Sequence, residues 1–212
     1  MNARLFIYPG SDPYGGNNLR YLYAFVGLFV LLGMACAAGG SLPAHSPVLM
    51  DVDTYVDASS ANDSFGDSDT LWVSSAGGKP MKETYLSFIN DFVTNGISSP
   101  DQIETATLML NVAKVETPGK ITAYFAEGPT TNAAAWTDKP EYDTSVSNSL
   151  EVTAEGEYSM DVTPIIKKAI SSCPGECGYS IALVADDGTS VGLVSKEASE
   201  KNGPTLSYTL AQ

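Results

Sequence analysis

Aromatic and acidic side chains carry whatever chemistry this chain performs. Trp72 stands between Leu71 and Val73, and in an alternating strand the two aliphatic side chains point one way and the indole the other. With the aliphatic pair in a core, the indole becomes a platform for stacking a sugar ring or docking a protein, unless another strand or loop covers it. Tyr85 and Tyr124 fall on strand faces opposite Leu86 with Phe88 and Ile121 with Phe125, which makes them further stacking candidates. Trp136, between Ala135 and Thr137 in a polar stretch, either anchors its loop or adds a fourth ring to a binding surface.

Six acids, Asp51, Asp53, Asp57, Asp63, Asp67 and Asp69, crowd one short region. Hard oxygen ligands at that density suit a structural calcium ion, with Asp63, Asp67 and Asp69 as the candidate ligands; the spacing is not that of an EF-hand, and a solvated acidic loop is the alternative. No other cofactor is expected. Catalysis has little to build on. The one histidine, His45, lies outside the strand-rich region, which removes Ser-His-Asp and Cys-His systems and multi-histidine metal sites. No carboxylate pair is singled out for glycoside hydrolysis, so no catalytic residue is assigned and the chain is not read as an enzyme. Asn62-Asp63-Ser64 is a formal glycosylation sequon.

The charge balance, 11 Lys plus Arg against 25 Asp plus Glu, argues against nucleic acid as a partner. Both arginines, Arg4 and Arg20, precede an uncharged run from Tyr21 to Ala38, so every base beyond it is lysine. Such a domain repels phosphate backbones and lacks the guanidinium forks that read them. The run itself fits a signal peptide or signal anchor: Ala35-Cys36-Ala37 offers an A-x-A-like cleavage site, a retained span is the second reading, and lipidation of Cys36 the third. Each places the rest of the chain outside the cytoplasm, touching a membrane only through the leader or Cys36. There, Cys173 and Cys177, flanking Pro174 and Gly175, are expected to form a disulfide across a short loop.

The elements that must position these residues are mostly strands. Residues 1–38 read as leader, 39–50 as a linker rich in Gly, Pro and Ser, and 51–212 as one domain. Strand signals recur over 52–56, 70–74, 83–89, 103–115, 120–126, 150–153 and 158–162. The clearest is the alternation of Ala106, Leu108, Leu110 and Val112, which predicts one core-facing side. Residues 179–185 and 189–195 flank Asp186-Asp187-Gly188, a hairpin signal, and Leu206, Tyr208 and Leu210 alternate in a closing strand. One helix is expected after Thr163, with Thr163 as N-cap, Pro164 as first helical residue and Ile165, Ile166, Ala169 and Ile170 as its apolar stripe. About ten short strands with one capping helix predict an all-β antiparallel β-sandwich of jelly-roll type.

Several of these stretches, taken in order, resemble a known family. Asp53-Thr54-Tyr55-Val56, Phe65-Gly66 and Leu71-Trp72-Val73, the Tyr85-Leu86-Ser87-Phe88 strand, Ile103 through Leu110, Trp136 with Pro140, and Asp161-Val162-Thr163 before the helix are similar to the pattern of DNRLRE-type modules, the group that includes carbohydrate-binding module family 96. Ser195-Lys196-Glu197 followed by Gly203-Pro204-Thr205-Leu206-Ser207-Tyr208 resembles their closing segment. The resemblance covers nearly all of 51–212 and implies a non-catalytic sandwich module. Alginate recognition in the carbohydrate-binding branch uses basic residues, a poor match to this acidic, lysine-only domain.

The expected function is therefore a secreted or surface-attached module that binds a polysaccharide or surface glycan through an aromatic-bearing sheet face, with Trp72, Tyr85 and Tyr124 stacking. The alternative is a structural subunit of an extracellular filament or surface layer, self-associating when the Val48-Leu49-Met50 segment adds to a neighbour's sheet edge.

Overall fold

Alternation of apolar and polar side chains builds most of the strands, and their apolar sides meet in a large core and a smaller cluster of Val56, Tyr85, Ala126, Ala134 and Ala182. The computed structural model describes residues 47–88, 92, 94–128, 130–172 and 179–212, all within a compact unit spanning Ser41–Gln212. In chain order the strands are β1 (Val48–Leu49), β2 (Val52–Asp57), β3 (Thr70–Ala76), β4 (Lys79–Ser87), β5 (Ile103–Thr117), β6 (Gly119–Glu127), β7 (Tyr142–Val152), β8 (Gly156–Asp161), β9 (Tyr179–Ala185), β10 (Ser190–Val194) and β11 (Thr205–Leu210); helix α1 (Thr163–Ser172) lies between β8 and β9. Every pairing is antiparallel. Among the described residues the fold is all-β, with α1 as a short α-helix.

The strands join in the order β1-β11-β5-β10-β3-β4-β9-β6-β7, with β2 added on β4 and β8 on β5. The two branch points curl this sheet. β4 pairs with β3 through Lys79–Lys82, with β2 through Lys82–Ser87 and with β9 through Thr84–Ser87. β5, the longest strand, pairs with β11 and β8 through its first part and with β10 through its last. Enclosed by the curl are Leu71 and Val73 of β3, Leu108 and Leu110 of β5, and Ile181 and Leu183 of β9, all buried. Ile165, Ile166, Ala169 and Ile170 of α1 close the core.

A two-residue turn sets the register that matters for the site. Gly77 and Gly78, at φ 62° and 73°, supply the consecutive left-handed conformations of a tight hairpin and bring β3 back as β4. The Asp187 carboxylate pins the turn by accepting the Gly78 N–H at 2.8 Å.

Four expectations change. Val48–Leu49, assigned to the linker, is strand β1 on β11 of its own chain, and Met50 is buried in the core; the segment expected to reach a neighbour is used in cis. The strand expected over 150–153 is the end of the eleven-residue β7. Thr163 is not an N-cap. Its hydroxyl accepts the Ala106 N–H of β5 at 2.8 Å, while Asp161 Oδ1 accepts the Thr163 N–H at 2.9 Å and its hydroxyl at 2.6 Å. Tyr85 is fully buried, as described below. Among the described residues no helix is long and apolar enough to cross a membrane; the leader, His45 and the expected Cys173–Cys177 disulfide lie outside the described residues.

Candidate functional site

Trp72 is held where the alternation of β3 requires. Leu71 and Val73 are buried and Trp72 is half-buried on the opposite side. Its carbonyl accepts the Thr84 hydroxyl of β4 at 2.9 Å. Across β10 its register partner is Gly192, and the next residue in that row is Lys114 of β5. The indole edge lies over Gly192: a Cβ there would touch it in ordinary contact at 3.5 Å, and its one close approach, 2.8 Å, is to the Thr70 methyl.

Two lysines converge on the ring. Lys82 Nζ lies 5.2 Å and Lys114 Nζ 5.1 Å from its centroid, within the range of cation–π attraction. Neither ammonium is free of an anion. Lys82 meets Asp57 at 3.5 Å, and Lys114 meets Glu116 at 2.9 Å; Glu116 also accepts the Ser190 hydroxyl at 2.9 Å. Burial works to raise the Asp57 carboxyl, but the Ser59 hydroxyl and N–H, at 2.6 and 2.8 Å, together with the Lys82 charge hold it below the usual range. Hydrogen bonds from Lys114 and Ser190 hold Glu116 below it too. The result is an indole framed by two ammonium–carboxylate pairs, an arrangement of donors and acceptors around an apolar plate that suits a sugar.

Tyr85, Tyr124 and Trp136 lie apart from Trp72, in a second cluster. Tyr85 is 0% exposed, so its ring offers no face to a ligand, which corrects its assignment as a stacking residue. The cause is that β4 is covered on both sides: from Glu83 to Ser87 every residue is buried. The Tyr85 hydroxyl donates to Glu83 Oε2 at 2.9 Å and lies 3.1 Å from the Pro140 carbonyl. Burial and then Glu83 raise its pKa. Lys139 forms a salt bridge to the same buried carboxylate, with its Nζ 3.9 Å from the Trp136 ring centroid and 5.9 Å from that of Tyr142. Tyr124 and Tyr142 stack at 5.1 Å with 21° between planes. Burial and Glu83 push the Tyr142 hydroxyl up to about 12. Trp136 is partly buried against the Val56 and Tyr85 cluster, with Lys139 over its ring; Tyr124 and Tyr142 keep partial exposure.

Asp63, Asp67 and Asp69 are all exposed, and among the described residues no three potential metal ligands converge. Their loop is instead organised by packing. Tyr55 and Phe65 stack at 4.4 Å, the Thr137 N–H donates to the Ala61 carbonyl at 3.1 Å, and a Cβ on Gly66 would fall 2.4 Å from the Asn132 carbonyl oxygen.

Asp53 is the acid that sequence reasoning grouped with the others and misread. It is fully buried on β2. Its Oδ2 accepts the Lys196 N–H at 2.8 Å, and its Oδ1 makes no hydrogen bond to any described residue. Burial raises its carboxyl to about 7, with the Lys196 N–H opposing and the Glu197 carboxyl adding to the rise. Ser195 Oγ accepts the N–H groups of Glu197 and Ala198 at 3.2 and 3.3 Å, and Lys196 Nζ donates to the Asp51 carbonyl. The Ser195-Lys196-Glu197 segment is thus a tie between the first and last parts of the domain. Asp53 and Ser195-Lys196-Glu197 belong to the opening and closing stretches of the family pattern, and nothing in the sequence joins the two.

The family model that matches the chain is that of carbohydrate-binding module family 96, over residues 45–209. No curated protein matches it.

Proposed function

The chain belongs to carbohydrate-binding module family 96, and on that footing we propose that it is a non-catalytic module, secreted or attached to the cell surface, that binds a polysaccharide or surface glycan through the Trp72 face of a jelly-roll sandwich. The observation that carries this reading is the half-buried indole laid across Gly192 between Lys82 and Lys114. A sugar ring stacks on the indole, while the ammonium and carboxylate groups beside it donate to and accept from hydroxyls. Export is supported by the uncharged run from Tyr21 to Ala38 and the Ala35-Cys36-Ala37 site. The antiparallel strands curled around the large core support a jelly-roll sandwich. The second cluster is a poorer site, since Tyr85 and Glu83 are buried and Lys139, bridged to Glu83, lies closer over Trp136, at 3.9 Å, than either lysine lies over Trp72.

Isothermal titration of the full-length protein against a panel of soluble polysaccharides tests this. Binding is expected to at least one, and Trp72→Ala is expected to weaken it by about tenfold or more. Binding that survives the substitution unchanged places the ligand elsewhere and overturns the proposal.

A further inference from the structure

The two lysines beside Trp72 look, at first, like a docking site for an acidic sugar, yet each already holds its own carboxylate. Lys114 pairs with Glu116 at 2.9 Å and Lys82 with Asp57 at 3.5 Å, so the groups framing the indole sum to no net charge. Lys82 also contributes to the field at Glu116, which ties the two pairs into one balanced group. Around them the chain carries a net charge of −14, a field that repels polyanions. A carboxylated or sulfated chain reaching Lys114 places its charge beside that of Glu116, which is held from its other oxygen by Ser190 at 2.9 Å and repels it. A neutral hydroxyl meets no such repulsion: it donates to a carboxylate lone pair and accepts from an ammonium proton already in place.

Resting on the Trp72 reading above, we infer that the ligand of this face is an uncharged polysaccharide, with the Lys114–Glu116 and Lys82–Asp57 pairs acting as paired donors and acceptors for its hydroxyls and Glu116 as the residue that excludes polyuronates.

Affinity electrophoresis of the full-length protein tests this, in gels carrying galactomannan, mixed-linkage β-glucan, arabinoxylan or polygalacturonate, at low and high ionic strength. Retardation by a neutral polysaccharide is expected, sensitive to Trp72→Ala and changing by less than about twofold with salt, with none by polygalacturonate. Glu116→Gln, an exposed change that leaves the core untouched, releases Lys114 and is expected to raise polygalacturonate affinity about tenfold at low salt. Polygalacturonate binding by the unaltered protein that salt weakens and Trp72→Ala removes overturns the neutral-ligand inference and leaves Trp72 as the platform. A Glu116→Gln protein with no gain on polygalacturonate also counts against the role of Glu116. Retardation by none of the four, or retardation indifferent to Trp72→Ala, overturns the platform itself and this inference with it.

Discussion

Asp53 on β2 and Lys196 after β10, 143 positions apart, are joined by a 2.8 Å hydrogen bond from the Lys196 N–H to Asp53 Oδ2. The bond ties the two ends of the domain together, because only the two-residue β1 precedes β2 and the segment after Lys196 leads into β11, the last strand. Gly203 is needed at the same place: a Cβ there would stand 2.8 Å from Lys196 Cα. The unpartnered Oδ1 and the neighbouring Glu197 carboxyl mean that the tie is best satisfied with a proton on Asp53.

That proton makes stability depend on pH. The Asp53 pKa rises from 3.8 to about 7 on folding, so between these values the folded chain binds more protons than the unfolded one. Its contribution to stability is complete below pH 3.8 and is lost as pH rises through about 7, a change of roughly 2–4 kcal/mol. Asp53→Asn keeps the acceptor for the Lys196 N–H and replaces the proton with an amide hydrogen. Chemical denaturation across this range is expected to show the variant losing the slope and exceeding the original protein in stability at neutral pH. Identical slopes would rule the assignment out.

What could be read in advance follows from how many sides of a strand are covered. β5 was legible because Ala106, Leu108, Leu110 and Val112 face the core while their neighbours meet solvent. The stripe of α1 was legible for the same reason at helical period. In β4 the rule misleads, since residues 83–87 are buried on both sides and no alternation distinguishes Tyr85 from Leu86. β7 has the reverse problem: Thr144, Ser145 and Ser147 are all exposed or polar, and only its pairing with β6 makes it a strand. Trp72 could be picked out by its aliphatic neighbours, but the lysines beside it come from β4 and β5, and no local pattern joins them.

The start of α1 offers a direct test of the cap. Asp161 Oδ1 receives both the N–H and the hydroxyl of Thr163, and the Asp161 carbonyl accepts from Asn148 of β7 at 2.8 Å. Asp161→Ala removes only the side-chain bonds and is expected to cost about 1 kcal/mol. Asn148→Ala removes the link between β7 and β8 and is expected to cost about as much. Denaturant titration measures both.

The Glu83–Lys139 pair is expected to be costly to break and cheap to replace. Glu83 is 1% exposed, so Lys139→Met strands a buried carboxylate and should destabilise by about 3–5 kcal/mol, while adding Glu83→Gln to it recovers most of that loss. Hydrogen exchange supplies the second readout: in the single variant, protection is expected to fall at Ala134 and Thr137, whose loop Lys139 holds down through Trp136. A single variant as stable as the original protein would mean that the loop is held by its apolar contacts alone.

Gly192 separates the position of the Trp72 ring from its presence. Gly192→Val keeps the indole but fills the space over which it lies, with the new Cβ 3.5 Å from the ring edge and 2.8 Å from the Thr70 methyl before any movement. The Thr70 side chain can rotate away; valine methyls built beyond a Cβ that already touches the indole edge and Lys114 Cβ at 3.5 Å are expected to crowd the ring and shift it on β10. The expected cost in stability is modest, about 1–2 kcal/mol, because the crowding is on the solvent side of the sheet. Binding is expected to fall nearly as far as in Trp72→Ala, accompanied by a shift in tryptophan emission that the thermal midpoint does not share. Emission and affinity both unchanged would show that the ring does not depend on the gap at Gly192, and that the plate on which the ligand stacks is set by Lys82 and Lys114 instead.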